Sequence, residues 1–427
     1  MTWRRALACI GPGVLLAGAA IGVSHLLQAT RAGAGFGFGM LGLLVLACVT
    51  KYPFLEFGPR YASATGEDLV EGYRKLGAWA LWLCAILTFG SMFIVMAAVT
   101  LVTAAIAKYI ADSAIPGVDD VPLNVWAAIV LALCVGVLLL GRYRVLERTM
   151  KGVMALLLLS TIAAVLAAAL GGRQPTPAAE TAVSPAKWWA ASNFAFMLAF
   201  MGWMPIPIDA AIWNSIWVRE HGKACGHDMT EQEARFDFRV GYIGAGLVGV
   251  LFLTLGALVM HGRVDEIKDT GFVNQLIDVY RQTLGGWSVP LIAAAALTTM
   301  FSTTLVVLDA FPRTMHRLTQ AIAGITSSEA DSAPGRRRSY TLWVLAQGGI
   351  AMAILLFFRN GMKAMVDIAT TLSFLTAPAL ALINYLVVTR LTPEHARPGR
   401  AMRAISIASM VFLFAFSVTY LVWLVTR

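Results

Sequence analysis

Carboxylates are scarce in this sequence: Asp and Glu together number 24 in 427 residues, and charged residues of both signs make up only 13% against 58% hydrophobic. With a mean hydropathy of +0.72, too little polar surface remains to clothe a water-soluble domain of this length, which excludes an ordinary soluble fold. Cysteine is rarer still. Cys9, Cys48, Cys84 and Cys134 fall in apolar runs and Cys225 in a loop, a spacing that excludes a disulfide framework or a zinc site and leaves packing roles. Long polar stretches are missing too. The longest, 219–238, 262–285 and 324–338, are loops, so no soluble signalling domain is attached. A nucleophile elbow, a phosphate loop and paired catalytic carboxylates are also missing, so nothing supports an enzyme. The trio His221, Cys225 and His227 sits among Lys223, Asp228, Glu231 and Glu233, as expected of a solvated loop and not of a metal site.

What the chain has in abundance is apolar runs of about 20 residues, the length that spans a hydrocarbon core as helix. Periodicity and turn signals give about eleven spans: 6–34, 38–62, 78–109, 123–141, 150–171, 188–217, 239–261, 286–316, 339–358, 362–389 and 402–426. The start resembles a signal peptide, but Gly11, Pro12 and Gly13 interrupt its apolar run and no cleavage site is evident, so it reads as a retained first helix. A formal charge of +9 would suggest nucleic acid in a soluble protein. Here the cations sit in short loops between spans, where they set orientation instead. One set of loops holds Arg4, Arg5, Arg74, Lys75, Arg142, Arg144, Arg148, Lys151, Arg336 to Arg338, Arg390, Arg397, Arg400 and Arg403. The opposite set carries Asp112, Asp119, Asp120, Asp265, Glu266 and Asp269. The expectation is an integral protein of a bacterial inner membrane, amino terminus cytoplasmic and carboxyl terminus outside, in contact with lipid and not nucleic acid, and monomeric.

Two spans read as interrupted. The first carries Gly22-Val23-Ser24-His25 in its middle, and the sixth carries Met204-Pro205-Ile206-Pro207-Ile208-Asp209, whose prolines each remove a helix donor. Irregular backbone at membrane depth survives only beside a cavity, so the breaks mark a site. First and sixth are corresponding places in two five-helix halves, the pattern of an inverted-repeat transporter.

These residues resemble a family. Gly11-Pro12-Gly13 through Ala32-Gly33-Ala34 is similar to the first helix of the Nramp divalent-metal transporters; Thr65-Gly66 with Asp68-Leu69 resembles the end of their second helix; Met204-Pro205 resembles the Met-Pro of their sixth. The resemblance implies an all-α polytopic membrane protein of the leucine-transporter type. Its two inverted five-helix repeats would run over about 6–171 and 188–389, with one extra helix at 402–426. It also implies what has changed. The family's metal-binding aspartate is Gly22 here, its asparagine is His25, and the histidine after Met-Pro is Ile206, while the metal-contacting methionine persists as Met204. The acidic pair of the family's third helix falls in Met96 to Ala107, which has no carboxylate, and the ninth span lacks the accompanying arginine.

Without hard oxygen ligands, the site expected around Gly22, Val23, Ser24, His25, Met201, Met204, Pro205, Ile206 and Asp209 suits a small inorganic anion better than a divalent cation. The amino-terminal ends of the two half-helices would present amide dipoles, with Ser24 and His25 as side-chain donors. Bicarbonate is the named candidate, from resemblance to a divergent branch of the family that lacks the metal motif. A divalent-cation transporter using Met204, Asp209 and backbone carbonyls is the alternative, and a membrane sensor that kept the fold is a third reading. Asp209 also reads as a first-turn acid on the helix dipole, and His25 as a neutral ring bonded to a carbonyl. Lys51 lies deep in the second span, with Glu56 as its candidate neutraliser; Arg31 either draws anions inward or snorkels. Thr298 to Thr304 read as packing hydroxyls or sodium ligands, and Asp309 with Arg313 as an i,i+4 pair near the inner surface. Asp367 and Thr370 form a polar face in the tenth span suited to a proton or sodium role. No resident cofactor or metal is expected, only a coupling ion, sodium or proton.

Overall fold

The computed structural model describes residues 11–426 apart from 141–142, 171–189, 262–272, 276, 279–280, 282–284, 333–335 and 359–360. Arg4, Arg5, Arg142, Cys9, Asp265, Glu266 and Asp269 therefore lie outside the described residues, as do the side chains of Arg144, Arg148, Lys151 and Arg336. The described residues form helices and no strand. In chain order these are α1 (Pro12–Ala20), a π-helical stretch (Ser24–Ala29) running into α2 (Thr30–Phe36), α3 (Leu41–Thr65), α4 (Leu69–Leu76), α5 (Ala78–Ala114), α6 (Leu123–Leu140), α7 (Tyr143–Leu170) and α8 (Ala191–Trp203). There follow α9 (Ala210–Cys225), α10 (Glu231–Val259), α11 (Ser288–Ile322), α12 (Ser327–Ser332), α13 (Arg336–Phe357), α14 (Gly361–Leu391) and α15 (Arg400–Val425). Among the described residues, eight helical stretches are long and apolar enough to cross a membrane.

Helices cover the described parts of the expected spans, with several ends displaced. The seventh begins at Glu231, not at 239, because Thr230 and Glu233 form a reciprocal capping box that starts α10 in the polar stretch. The sixth ends at Cys225, so Arg219 to Cys225, loop by sequence, are helix. Helices α4 and α12 likewise fall where the sequence suggests loop. The Thr65-Gly66-x-Asp68 segment now has a physical reason: Gly66 closes α3 in the left-handed conformation (φ 72°), and the Asp68 carboxylate accepts from the Glu71 amide at 3.1 Å to open α4.

The molecule is apolar outside and polar within. Trp79, Trp82, Ile86, Leu133, Val411 and Phe414 are exposed, while Lys51, Glu56, Asp68, Asp209 and Asp309 are buried. That inversion suits a lipid solvent, in which ionisable groups face the bundle interior and pair there. Helix α10 packs along α1, the π stretch, α2 and α3, and α11 packs on α1 and α5. Small residues permit the approach: a Cβ on Gly13 would lie 2.0 Å from the Asp237 carbonyl oxygen, and one on Gly241 would lie 2.0 Å from that of Gly13. Asp237 of α10 also accepts from the amides of Gly11 (2.9 Å) and Gly13 (2.5 Å), satisfying donors at the start of α1. The Gly-Pro-Gly opening is thus a docking surface for α10.

Candidate functional site

Both sequence-predicted breaks are present. Helix α1 ends at Ala20, and Ile21 (φ −80°, ψ 83°) turns the chain before the π-helical stretch resumes at Ser24. Helix α8 ends at Trp203, Met204 is extended, and α9 starts after Asp209. Each break exposes the carbonyl end of a half-helix in the protein interior, where an unsatisfied group costs several kcal/mol.

The chain's own donors occupy both carbonyl ends. The fully buried Lys51 ammonium donates to the carbonyls of Met201 (2.6 Å), Gly202 (2.7 Å) and Ile206 (3.3 Å) at the end of α8. Thr303 of α11 donates its hydroxyl at the end of α1, where it lies 2.9 Å from the Gly18 carbonyl and 3.1 Å from that of Ile21. The same side chain explains Gly22, since a Cβ there would meet Thr303 Oγ1 at 2.6 Å and Cγ2 at 2.7 Å. Carbonyl-lined breaks are where this architecture ordinarily coordinates cations. Here a fixed ammonium and a hydroxyl stand in those positions.

Between the breaks lies a small cavity of about 20 Å³, bounded by Ala20, Val23 and Ser24 at one break and Trp203, Ile206 and Pro207 at the other. Val95 and Val99 of α5, Thr303 and Val307 of α11, and Trp213 of α9 complete the wall, and no carboxylate is part of it. Its polar side chains are the hydroxyls of Ser24 and Thr303 and the indoles of Trp203 and Trp213. The indole Nε1 of Trp213 is buried without a hydrogen-bond partner. Ser24 Oγ lies 2.7 Å from the Ala20 carbonyl and 2.7 Å from His25 Nδ1. Because the Ala245 carbonyl, 2.9 Å from Nε2, can only accept, His25 holds its proton on Nε2 when neutral, and Nδ1 then takes the single Ser24 proton. His25 therefore orients Ser24 from behind the wall.

Other sequence-predicted residues fall elsewhere. Glu56 does not neutralise Lys51; a five-residue offset turns them to different helix faces, and Glu56 instead holds Arg60 at i,i+4, 2.7 and 2.8 Å. Asp209 occupies the position before α9, at the positive end of that helix dipole, and makes no capping hydrogen bond there. It is buried, its Oδ2 has no partner, and the charge of Lys51 acts on it. The first amides of α9, expected to be available, are taken in a tight turn: Ala210, Ala211 and Ile212 donate to Pro207, Ile208 and Asp209. Thr370 back-bonds to Val366 in its own helix at 2.8 Å, as Thr299 does to Ala295 at 2.7 Å.

Arg31 neither faces a vestibule nor snorkels. Its guanidinium forms a fork with Asp367 (2.8 and 3.3 Å), shares Gln28 (2.7 Å), and lies 4.7 Å over the Phe196 ring. Asp367, proposed from sequence for a coupling ion, is thereby committed to a latch joining α2 to α14. Asp367→Asn is expected to loosen this end. A Gln28→Cys reporter, buried in the latched protein, should react with a polar thiol reagent about tenfold faster, the factor worth about 1.4 kcal/mol; an unchanged rate would make the pair ornamental.

At the other end of the bundle, Asp68 receives Arg219 (3.0 Å) and Arg317 (2.9 Å). Burial pushes its carboxyl up, but the two guanidiniums outweigh burial and hold it below the usual carboxylate value.

Residues 13–423 match the family model "Natural resistance-associated macrophage protein-like", Nramp. An uncharacterised protein of Pasteurella multocida is 34% identical over 425 residues, covering 98% of this chain and 93% of its own length. A divalent metal cation transporter, MntH, of Brucella suis is 32% identical over 87 residues, 19% of each chain. Among solved structures, a mutant manganese transporter of Eremococcus coleocola superposes with a TM-score of 0.72 at 14% identity, covering 98% of this chain and 87% of its own. The MhsT complex with L-phenylalanine gives 0.66 at 12% identity, covering 96% and 98%. Mhp1, a nucleobase-cation-symport-1 family transporter, gives 0.61 at 14%, covering 97% and 92%. The fold is accordingly of the leucine-transporter type.

Proposed function

We propose, from the premise that this chain belongs to the Nramp family, that it is a secondary transporter whose central cavity takes a small inorganic anion, bicarbonate being the named candidate. The observation that carries this reading is Lys51, whose ammonium occupies the three carbonyls at the break of the sixth span. A divalent cation arriving there would meet a positive charge in place of oxygen ligands, in a cavity with no carboxylate in its wall. An anion meets the opposite: the unpartnered Trp213 Nε1 supplies a polar hydrogen, and the Lys51 ammonium supplies the field. Among the described residues, no group of three or more His, Cys, Asp or Glu gathers to hold a metal.

Divalent-cation transport is the second reading, favoured by the names of the relatives, a manganese transporter and MntH. It would have to use Met204 and Asp209, with Lys51 withdrawn from its carbonyls. Radiolabelled uptake into proteoliposomes separates the two. Bicarbonate flux above empty vesicles without manganese flux is the expected result; manganese flux without bicarbonate flux refutes the anion reading.

A further inference from the structure

A second cavity, larger than the first at about 260 Å³, opens at the end of the bundle opposite the Arg31–Asp367 latch. Its wall includes Arg219, Arg313, Arg317 and Arg337 against two carboxylates, Asp68 and Glu220. Asp68 is spent on Arg219 and Arg317. Arg337, exposed, has one bond, to the Leu139 carbonyl at 3.2 Å. Arg313 gives its Nε to Asp309 at 2.6 Å, while its Nη1 stands 3.9 Å from Glu220, beyond hydrogen-bond reach. The Nη edge of that fork faces the cavity with donors to spare, in the geometry suited to a planar oxyanion.

The two cavities share helices α9 and α11. Trp213 and Val307 line the central one; Ile216 and Arg313, further along the same helices, line the second. Between them Trp213 packs edge-on against Phe311, ring centroids 4.9 Å apart, and Trp217 at 6.3 Å. Asp309 holds this partition to Arg313: its Oδ2 takes Arg313 and, at 3.5 Å, the Trp217 indole, while its Oδ1 accepts from Tyr340 at 2.6 Å.

We propose that the second cavity is a vestibule site for a small oxyanion, with Arg313 as its main ligand and Arg337 as a contributor, filled in passage between solution and the central cavity. The proposal rests on the anion reading above. An oxyanion on the Nη edge of Arg313 brings a second negative charge to the guanidinium that Asp309 holds through Nε, weakening that pair and so slackening the Trp213–Phe311–Trp217 partition, which couples arrival at the vestibule to opening of the way inward.

The test is sidedness. In proteoliposomes of zwitterionic lipid with one protein orientation inactivated, bicarbonate half-saturation is measured from the vestibule side and from the latch side. Arg313→Gln is expected to raise the vestibule-side value about tenfold, roughly the loss of one charge-assisted hydrogen bond, and to leave the latch-side value unchanged. Arg313→Lys should fall between, having charge without the fork. Arg337→Gln, at an exposed position with little to lose in folding, should raise the vestibule-side value by a smaller factor. Equal effects on both sides, or none, overturn the vestibule site. An effect seen only when phosphatidylglycerol is added overturns it too, by assigning the arginines to a lipid phosphate. Absence of bicarbonate flux in the unmodified protein from either side refutes instead the anion reading beneath it.

Discussion

Lys51→Met is expected to cut bicarbonate uptake at least about tenfold, the effect of about 1.4 kcal/mol, and to destabilise the protein. The ammonium is fully buried and satisfies three carbonyls at the broken end of α8. Methionine fills similar volume but donates nothing, so each orphaned carbonyl costs about 1–3 kcal/mol. The cavity also loses the charge that draws an anion inward. Uptake in proteoliposomes and thermal unfolding in detergent read these two losses separately. Full uptake with lowered stability would reduce Lys51 to a structural bolt and remove the main support for an anion.

Gly22→Asp is expected to abolish bicarbonate uptake by placing a negative charge beside the cavity, but the single variant also drives a side chain into Thr303, whose Oγ1 would stand 2.6 Å from the new Cβ. Overpacking of that kind costs about 1–3 kcal/mol. Pairing it with Thr303→Ala removes the two closest atoms, Oγ1 and Cγ2, and with them the overlap, but also the hydroxyl at the Gly18 and Ile21 carbonyls, so stability should recover only in part and uptake not at all. Manganese uptake should still be missing from the double variant, because Lys51 continues to hold the carbonyls of the other break. Manganese flux in Gly22→Asp/Thr303→Ala would show that one carboxylate decides the substrate and that the ammonium does not.

The breaks were legible in sequence because proline and glycine act locally: Pro205 and Pro207 remove donors wherever they stand, and Gly22 sits where Thr303 leaves no room for a side chain. The depth of Lys51 was legible from its apolar surroundings. Its partners were not, since Met201, Gly202 and Ile206 are engaged through their carbonyls, and a backbone carbonyl leaves no mark in residue identity. Arg31 and Asp367 each stand out as polar residues in apolar spans. Their union spans 336 positions, which no local spacing reveals. Glu56 with Arg60 is different, because i,i+4 spacing is visible in the sequence and points to the observed pair ahead of Lys51. The amides of α9 escape a sequence reading because half-helix dipoles reckoned from the break alone leave out the tight turn at Pro207 to Asp209 that takes up those donors. The unpartnered donor at the cavity is instead the Trp213 indole, which gave no sequence signal, being unremarkable among the chain's 12 tryptophans.

Anomalous diffraction from crystals soaked in manganese addresses the central claim most directly. No anomalous peak is expected at the carbonyls of Met201, Gly202 and Ile206, with the Lys51 ammonium still in place there. A manganese peak at those carbonyls, with the Lys51 side chain swung aside, would contradict it.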